Sequence, residues 1–139
     1  MTAQFSENLM YEGRVLSMQT EPLAPLLDAL PEPFEFQSFC TACWRRYIGN
    51  WEIINGRLYL MDIEAHWKDE SPVCLEQLFP GYPHRVFAHW FTGTIRCAQG
   101  DLLKYVHGGF ASTHERDLLL YFTDAVMFKT EVRHNNLPE

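Results

Sequence analysis

The residues whose spacing most clearly suggests chemistry are Cys40 and Cys43, which form a Cys-Thr-Ala-Cys motif. Structural zinc sites and thioredoxin-like redox sites share this spacing. A structural zinc ion takes four ligands, but the other cysteines, Cys74 and Cys97, stand alone, and a redox pair would precede a long helix. We therefore favour small core cysteines and expect no metal, with a zinc-stabilised interaction module as an alternative.

The six histidines match no zinc-enzyme pattern, and His107 is the one with a suggestive context. It precedes two glycines, and paired glycines after a strand allow a ligand to approach the backbone closely. With nearby aromatic and acidic residues it indicates a small-molecule pocket lined by Trp90, Tyr105, His107 and Glu115. The chain has no nucleophile elbow, phosphate-binding loop or dinucleotide fingerprint, so we assign no catalytic residue or cofactor and consider an enzyme less favoured.

The third candidate feature is an excess of acid, 18 Asp and Glu against 11 Lys and Arg, for a formal charge of −7. Most of this charge lies in residues 1–35, where Arg14 is the only basic residue. The acids of this region are Glu7, Glu12, Glu21, Asp28, Glu32 and Glu35. Because acidic surfaces steer association with basic proteins, we expect all six to be exposed on one side and to bind such a partner.

Several other classes of partner are disfavoured by composition. The chain lacks the clustered Lys and Arg that nucleic-acid binding requires. It also lacks the ~18 consecutive apolar residues of a membrane span, and residues 1–14 lack the basic start and apolar run of a signal peptide. We therefore expect a bacterial cytoplasmic protein with reduced cysteines and no nucleic-acid or membrane partner.

The elements that must position these residues are mainly β-strands joined by hairpins. Asn55-Gly56 between two apolar runs is typical of a type I′ turn, and it would place Trp51 opposite Leu60 and Gly49 opposite Asp62. Further hairpins are predicted at Gln99-Gly100 and 123–125, and residues 9–18 fit a short hairpin or a bent strand around Glu12-Gly13. Short helices are indicated over 23–30 and 74–79.

These elements predict a mainly β fold with one or two short helices in a single domain over 1–139. Seven to nine strands would form an antiparallel sheet, arranged as a sandwich or as a strongly curved sheet. An α+β fold is the alternative. Parallel βαβ units are disfavoured because no long crossover helix is indicated. Within this sheet we expect most aromatic side chains to be core, and one arginine of the Arg45-Arg46 pair to hold a buried carboxylate, such as Asp62 or Glu64, across the hairpin.

The chain also resembles a family of small, functionally uncharacterised bacterial proteins. The resemblance rests on Trp44–Ile53, Leu58-Tyr59-Leu60, Asp62-Ile63, Leu78-Phe79-Pro80, Val86-Phe87-Ala88, Trp90-Phe91, Gly93, Gln99-Gly100, Tyr105-Val106-His107, Glu115 and Leu118-Leu119-Leu120. These positions cover residues 44 to about 120 in a fixed order, and most are hairpin aromatics and turn residues. The resemblance implies a shared fold and assigns no activity.

Together these observations favour a small non-enzymatic binding protein, most specifically an immunity or antitoxin-like inhibitor of a bacterial toxin. The alternative is a small-molecule-binding module or modest enzyme with a pocket around His107. The zinc-stabilised interaction module is the second alternative.

Overall fold

A computed structural model describes residues 4–38, 43, 45–106, 110 and 112–135. The first half of the chain forms β1 (Glu7–Tyr11), β2 (Arg14–Met18), α1 (Ala24–Asp28), β3 (Ile48–Ile54) and β4 (Arg57–Glu64). The second half forms α2 (Leu75–Leu78), β5 (Val86–Phe87), β6 (Gly93–Lys104), β7 (Thr113–Thr123) and β8 (Val126–His134). The prediction of a mainly β fold with one or two short helices is confirmed, and the described residues contain two. Neither of these helices, the only ones in the described ranges, has the length and apolar character needed to cross a bilayer.

The eight strands form one sheet in the order β2-β1-β3-β4-β8-β7-β6, and β5 pairs with β4. Neighbouring strands are antiparallel except β1 and β3, which are parallel with Leu9 opposite Trp51. The sheet is therefore mainly antiparallel, as predicted, with one parallel pair that was not expected. The connection from β2 to β3 spans residues 19–47, which is long enough to return the chain to the same end of the sheet without a long helix.

The sheet curls until its two ends meet. Just after β2, the Gln19 N–H donates to the Arg96 carbonyl of β6 at 2.8 Å, and the Gln19 side-chain oxygen accepts from the Ala98 N–H at 2.7 Å. Elsewhere in the sheet, β4 meets the turn that precedes β8, where the Leu58 N–H donates to the Ala125 carbonyl at 2.9 Å. Of the two predicted architectures, this arrangement is the strongly curved sheet.

Three of the four predicted hairpins are confirmed. Their turns are Glu12-Gly13, Asn55-Gly56 and Asp124-Ala125, and both residues of each have positive φ, as a type I′ turn requires. The hairpin predicted at Gln99-Gly100 is wrong, because β6 continues through it and pairs with β7 on both sides. Gly100, with φ of +79°, instead lies at an irregularity in that pairing. A glycine at positive φ is typical of bulges as well as turns, so the local pattern was ambiguous.

The β3–β4 hairpin contains a bulge that the sequence did not reveal. Trp51 faces Leu60 as expected, but Asn50 faces Asp62 and Gly49 faces Ile63, so the predicted pairing of Gly49 with Asp62 is wrong. Met61 is the extra residue. It restores the inward direction for Ile63 and leaves Asp62 exposed.

The inward faces of the strands share one apolar core. Its most deeply buried large side chains include Leu9, Trp51, Leu58, Leu60, Ile95, Leu120 and Phe122. Each such side chain contributes about 1.5–3 kcal/mol through removal of apolar surface from water. The core therefore supports the frame on which the polar clusters described below are placed.

Candidate functional site

The acids of the first 35 residues do not share one surface. Glu7 is completely buried, so the expectation that all six are exposed is wrong for this residue. Glu21 is one-third exposed, and its Oε1 lies 3.6 Å from Arg45 Nε. The remaining four, Glu12, Asp28, Glu32 and Glu35, are exposed. A contact with a basic partner can therefore use these four and part of Glu21, but not Glu7.

Glu7 is buried because β1 pairs with β3 and brings four donors to its carboxylate. Oε2 accepts from Arg45 Nη2 at 2.7 Å and Nε at 3.2 Å, and from the Gly49 N–H at 2.7 Å. Oε1 accepts from Trp51 Nε1 at 3.2 Å. Burial raises the pKa of Glu7, while the Arg45 charge and these hydrogen bonds oppose the rise. Satisfied on every side, this carboxylate stabilises the fold rather than facing a partner.

Arg45 therefore holds a buried carboxylate, as expected of one arginine of the pair, but the carboxylate is Glu7, and the examples Asp62 and Glu64 were wrong. Asp62 and Glu64 are exposed, and Glu64 accepts a hydrogen bond from the Asn50 side chain at 3.1 Å. Arg45 precedes β3 in a turn, from which it reaches β1 instead of crossing the hairpin. Arg46, at positive φ, donates to the Phe36 carbonyl at 3.4 Å.

Of the two cysteines in the Cys-x-x-Cys motif, Cys40 lies outside the described residues. Cys43 is buried, and its thiol donates to the Tyr47 carbonyl at 3.3 Å. Within the described part of the chain, no group of three or more His, Cys, Asp or Glu could hold a metal ion. The zinc alternative therefore gains no support from the residues whose positions are known.

Two of the exposed acids, Glu32 and Glu35, line an open groove of about 500 Å³ that we call the acidic groove. Its walls are Glu32, Pro33, Phe34 and Glu35 on one side, and Trp67, Lys68 and Asp69 on the other. The walls are joined just behind the groove by the Gln37 N–H, which donates to the His66 carbonyl at 2.7 Å. This backbone link holds the two segments at a fixed separation.

Aromatic rings form the apolar part of the acidic groove. The ring centroids of Phe34 and Trp67 lie 6.0 Å apart in an edge-on arrangement, and those of Phe36 and Trp67 lie 5.4 Å apart. Trp67 Nε1 donates to Gln77 Oε1 at 2.9 Å, which fixes the indole plane. Packing of this kind keeps the half-buried Phe34 and Trp67 in place while part of each remains accessible.

The charge of the acidic groove is negative, with three carboxylates against the ammonium of Lys68. Hydrogen bonds from the Ser71 side chain and backbone lower the pKa of Asp69, so this group stays ionised in mildly acidic solution. Carboxylates beside aromatic faces attract Lys and Arg side chains through ion pairing and cation–π contact. The groove is thus chemically suited to a cationic segment of another protein.

The three described residues of the predicted pocket, Trp90, Tyr105 and Glu115, are not brought together. Tyr105 borders a cavity of about 210 Å³ with Arg96, Ser112 and His114 among its other lining residues. Trp90 instead stacks on Phe79 with centroids 5.5 Å apart and donates to the Pro22 carbonyl at 2.8 Å.

Glu115 also lies outside the lining of that cavity and forms a 3.4 Å ion pair with Arg116. His107 lies outside the described residues. Of the predicted pocket residues, Tyr105 is therefore the one that the structure places at a cavity.

An ion-pair cluster lies beside this cavity and was not anticipated. Asp117 is buried and accepts from Arg96 Nε at 3.1 Å, Arg133 Nη2 at 2.7 Å and Asn135 Nδ2 at 3.2 Å. Burial acts to raise the pKa of Asp117, but the hydrogen bonds from Arg133, Arg96 and Asn135 outweigh it and keep the pKa below its ordinary value. Arg96 also donates to the Phe110 and Ser112 carbonyls. The cluster therefore connects Phe110 and Ser112 to β6 through the Arg96 guanidinium.

No protein-family model, curated protein or solved structure matches the chain. The family resemblance inferred from the hairpin motifs therefore stays a prediction, and the case for function rests on the groove. Sequence reasoning identified Glu32 and Glu35, expected Trp67 to be core with most other aromatic residues, and missed Lys68 and Asp69. The available signal was the Asp69-Glu70-Ser71 segment, since Asp followed two residues later by Ser is typical of a tight polar turn.

Proposed function

We propose that this chain is a small protein-binding domain that recognises a basic partner through the acidic groove. The most specific form of this proposal is an immunity or antitoxin-like inhibitor of a bacterial toxin. The observation that carries it is the placement of Glu32, Glu35 and Asp69 around the accessible rings of Phe34 and Trp67.

The mechanism follows from the chemistry of the groove. A toxin that cleaves or modifies an anionic substrate carries exposed Lys and Arg at its active site, and a surface carrying several carboxylates competes for those groups. The carboxylates accelerate encounter, while insertion of a cationic side chain against Phe34 and Trp67 gives a desolvated contact that slows release. Asp28, exposed at the end of α1, adds negative charge in the same part of the sequence.

The test compares two double charge reversals. The E32K/E35K variant reverses the charge of one groove wall. The D62K/D101K variant replaces two exposed acids elsewhere and changes the net charge by the same amount. Neither Asp62 nor Asp101 lines the groove, so the second variant reports the effect of net charge alone.

The proposal predicts that wild type and D62K/D101K recover the same basic protein from the native host and inhibit its activity once it is purified. E32K/E35K is expected to lose at least about tenfold in affinity for that protein, since two reversed contacts cost more than 1.4 kcal/mol. Equal loss in both variants, or recovery of no basic protein by wild type, would refute the proposal.

A second candidate function is small-molecule binding in the cavity bordered by Tyr105. It is favoured by His114 Nδ1, which is buried at this cavity and has no hydrogen-bond partner among the described residues. A ligand donating to or accepting from this nitrogen would satisfy it. Thermal-shift screening of wild type against H114F, followed by calorimetry on any hit, tests this function. A hit that binds both proteins equally would exclude the cavity.

A further inference from the structure

The outer edge of β8 is an open strand edge. On one side β8 pairs with β7 from Arg116–His134 to Thr123–Val126. On the other side it meets the β3–β4 turn at Val126 and Met127, and no strand in the described ranges pairs with it beyond that point. Residues 128–134 are all exposed, including the apolar Phe128 and Val132 at 66% and 49%. Such an edge offers unpaired backbone donors and acceptors to another strand.

The pairing with β7 fixes which backbone groups point outward. The Asn135 N–H donates to the Glu115 carbonyl at 2.9 Å, so residues 133, 131 and 129 share its direction toward β7. The alternate residues Thr130 and Val132 therefore direct their N–H and C=O groups to the open edge. A strand added antiparallel to β8 would hydrogen-bond through these two residues.

The side chains along this edge are self-complementary in one register. We propose that two copies of this chain pair antiparallel through β8 about a two-fold axis at Thr130. In that register each Lys129 lies opposite Glu131 of the second copy, which gives two attractive charge pairs at closely spaced, non-hydrogen-bonded positions. Phe128 and Val132 then occupy matching positions in the two strands, and both lose exposed apolar surface. The paired segment is residues 128–132 of each copy, because the β3–β4 turn occupies the same edge at Val126 and Met127.

Neighbouring registers are less favourable. An axis at Glu131 would place Glu131 opposite its own copy and Lys129 opposite Arg133, which are like-charge pairs. An axis at Val132 would pair Glu131 with Arg133, whose guanidinium is held by Asp117 at 2.7 Å. Within its own copy Glu131 accepts a hydrogen bond from the Tyr121 hydroxyl at 3.0 Å, which positions it in every register. Lys129 and Glu131 are exposed, at 59% and 44%, and within one copy they lie 3.7 Å apart, so the four charges around the Thr130 axis alternate in sign.

The register can be tested by charge reversal. Each single variant creates like-charge pairs in its own dimer, and a mixed dimer of the two variants converts them back to opposite-charge pairs. K129E alone places Glu opposite Glu twice, and E131K alone places Lys opposite Lys twice, so each variant should be monomeric or weaken the dimer by about tenfold or more. An equimolar mixture of K129E and E131K restores Glu opposite Lys at both positions. We expect sedimentation equilibrium to show a mixed dimer at concentrations where neither variant dimerises alone.

A backbone variant provides an independent test. T130P removes the outward N–H of Thr130 without touching a hydrogen bond to β7, so it should abolish the dimer and leave the circular dichroism spectrum unchanged. T130V keeps the N–H and should dimerise like wild type. A wild-type protein that stays monomeric at all soluble concentrations overturns the proposal, as does failure of the mixture to associate. A monomer whose T130P variant loses a basic partner would show instead that the edge takes a strand of that partner.

Discussion

Glu7 on β1 and Arg45 before β3 form an ion pair with 2.7 Å between Oε2 and Nη2, although they are separated by 38 residues in the chain. Glu7 is inaccessible to solvent and the Arg45 side chain is only 8% exposed. The pair therefore joins the first strand to the middle of the sheet through charged groups that are both sheltered from water.

Removal of the Glu7 carboxylate should destabilise the fold strongly. E7A leaves Arg45 buried without its partner and also removes the acceptor for Gly49 and Trp51, so we expect a loss of about 3–5 kcal/mol in the free energy of unfolding. Urea denaturation measures this loss. E35A, which removes an exposed carboxylate, is the control and should stay within about 0.5 kcal/mol of wild type. Equal stability of E7A and E35A would show that the buried pair contributes nothing.

Gly49 should not tolerate a side chain. A Cβ at this position would lie 2.5 Å from both Glu7 Oε1 and Trp51 Nε1, so G49A forces one of these groups to move. We expect a cost of about 1–3 kcal/mol and a change in Trp51 fluorescence. Because the clash involves Glu7, the G49A/E7A double variant should lose less stability than the sum of the two single variants. Strict additivity of the two losses would contradict the proposed contact.

The ion-pair cluster of Asp117 predicts a specific pH dependence. The pKa of Asp117 is lower in the folded state than in the unfolded chain, so its contribution to stability is present above the unfolded pKa of about 4 and is lost as pH falls through the folded pKa. D117N should therefore be less stable than wild type at neutral pH. The difference should shrink as the solution is acidified below about pH 4. Urea denaturation at several pH values measures it, and a difference that does not vary with pH would reject this assignment.

The cysteines should differ in reactivity with a thiol reagent. Cys74 is exposed, whereas burial raises the pKa of the Cys97 thiol to about 12 and shields it from reagent. We expect Cys74 to be modified rapidly in native protein and Cys97 only after unfolding, as measured by peptide mass spectrometry. The C74S variant should lose one rapidly modified thiol and C97S none. Rapid modification of Cys97 would mean that this part of the core opens readily.

The parts of the fold that local sequence determines were predictable, and those set by distant contacts were not. The turns at Glu12-Gly13 and Asn55-Gly56 need positive φ at consecutive residues, which the sequence displays directly. The parallel pairing of β1 with β3 depends on how residues 19–47 cross the sheet, and no local pattern encodes that path. The bulge at Met61 likewise depends on the fit of Leu60 and Ile63 to the core.

The candidate site divides in the same way. The exposed acids Glu32 and Glu35 followed from composition, but the opposite wall of the groove comes from 67–69, which folds beside them through the Gln37–His66 hydrogen bond. The burial of Glu7 was equally unpredictable from local sequence, because its donors belong to Arg45, Gly49 and Trp51. These residues are separated from Glu7 by 38 to 44 positions in the chain. Counting charges identified the acidic segment, but it could not distinguish the buried, structural Glu7 from accessible acids such as Glu32 and Glu35.

The position of β1 between β2 and β3 has a consequence for synthesis. The hairpin of β1 and β2 leaves the ribosome before β3, because the strand that flanks β1 arrives only after residues 19–47 have been made. Until then one long edge of β1 and the carboxylate of Glu7 remain in water. At a typical translation rate of about 5–20 residues per second, this interval lasts on the order of seconds, during which the acidic charge of the emerging segment opposes premature association of neighbouring chains.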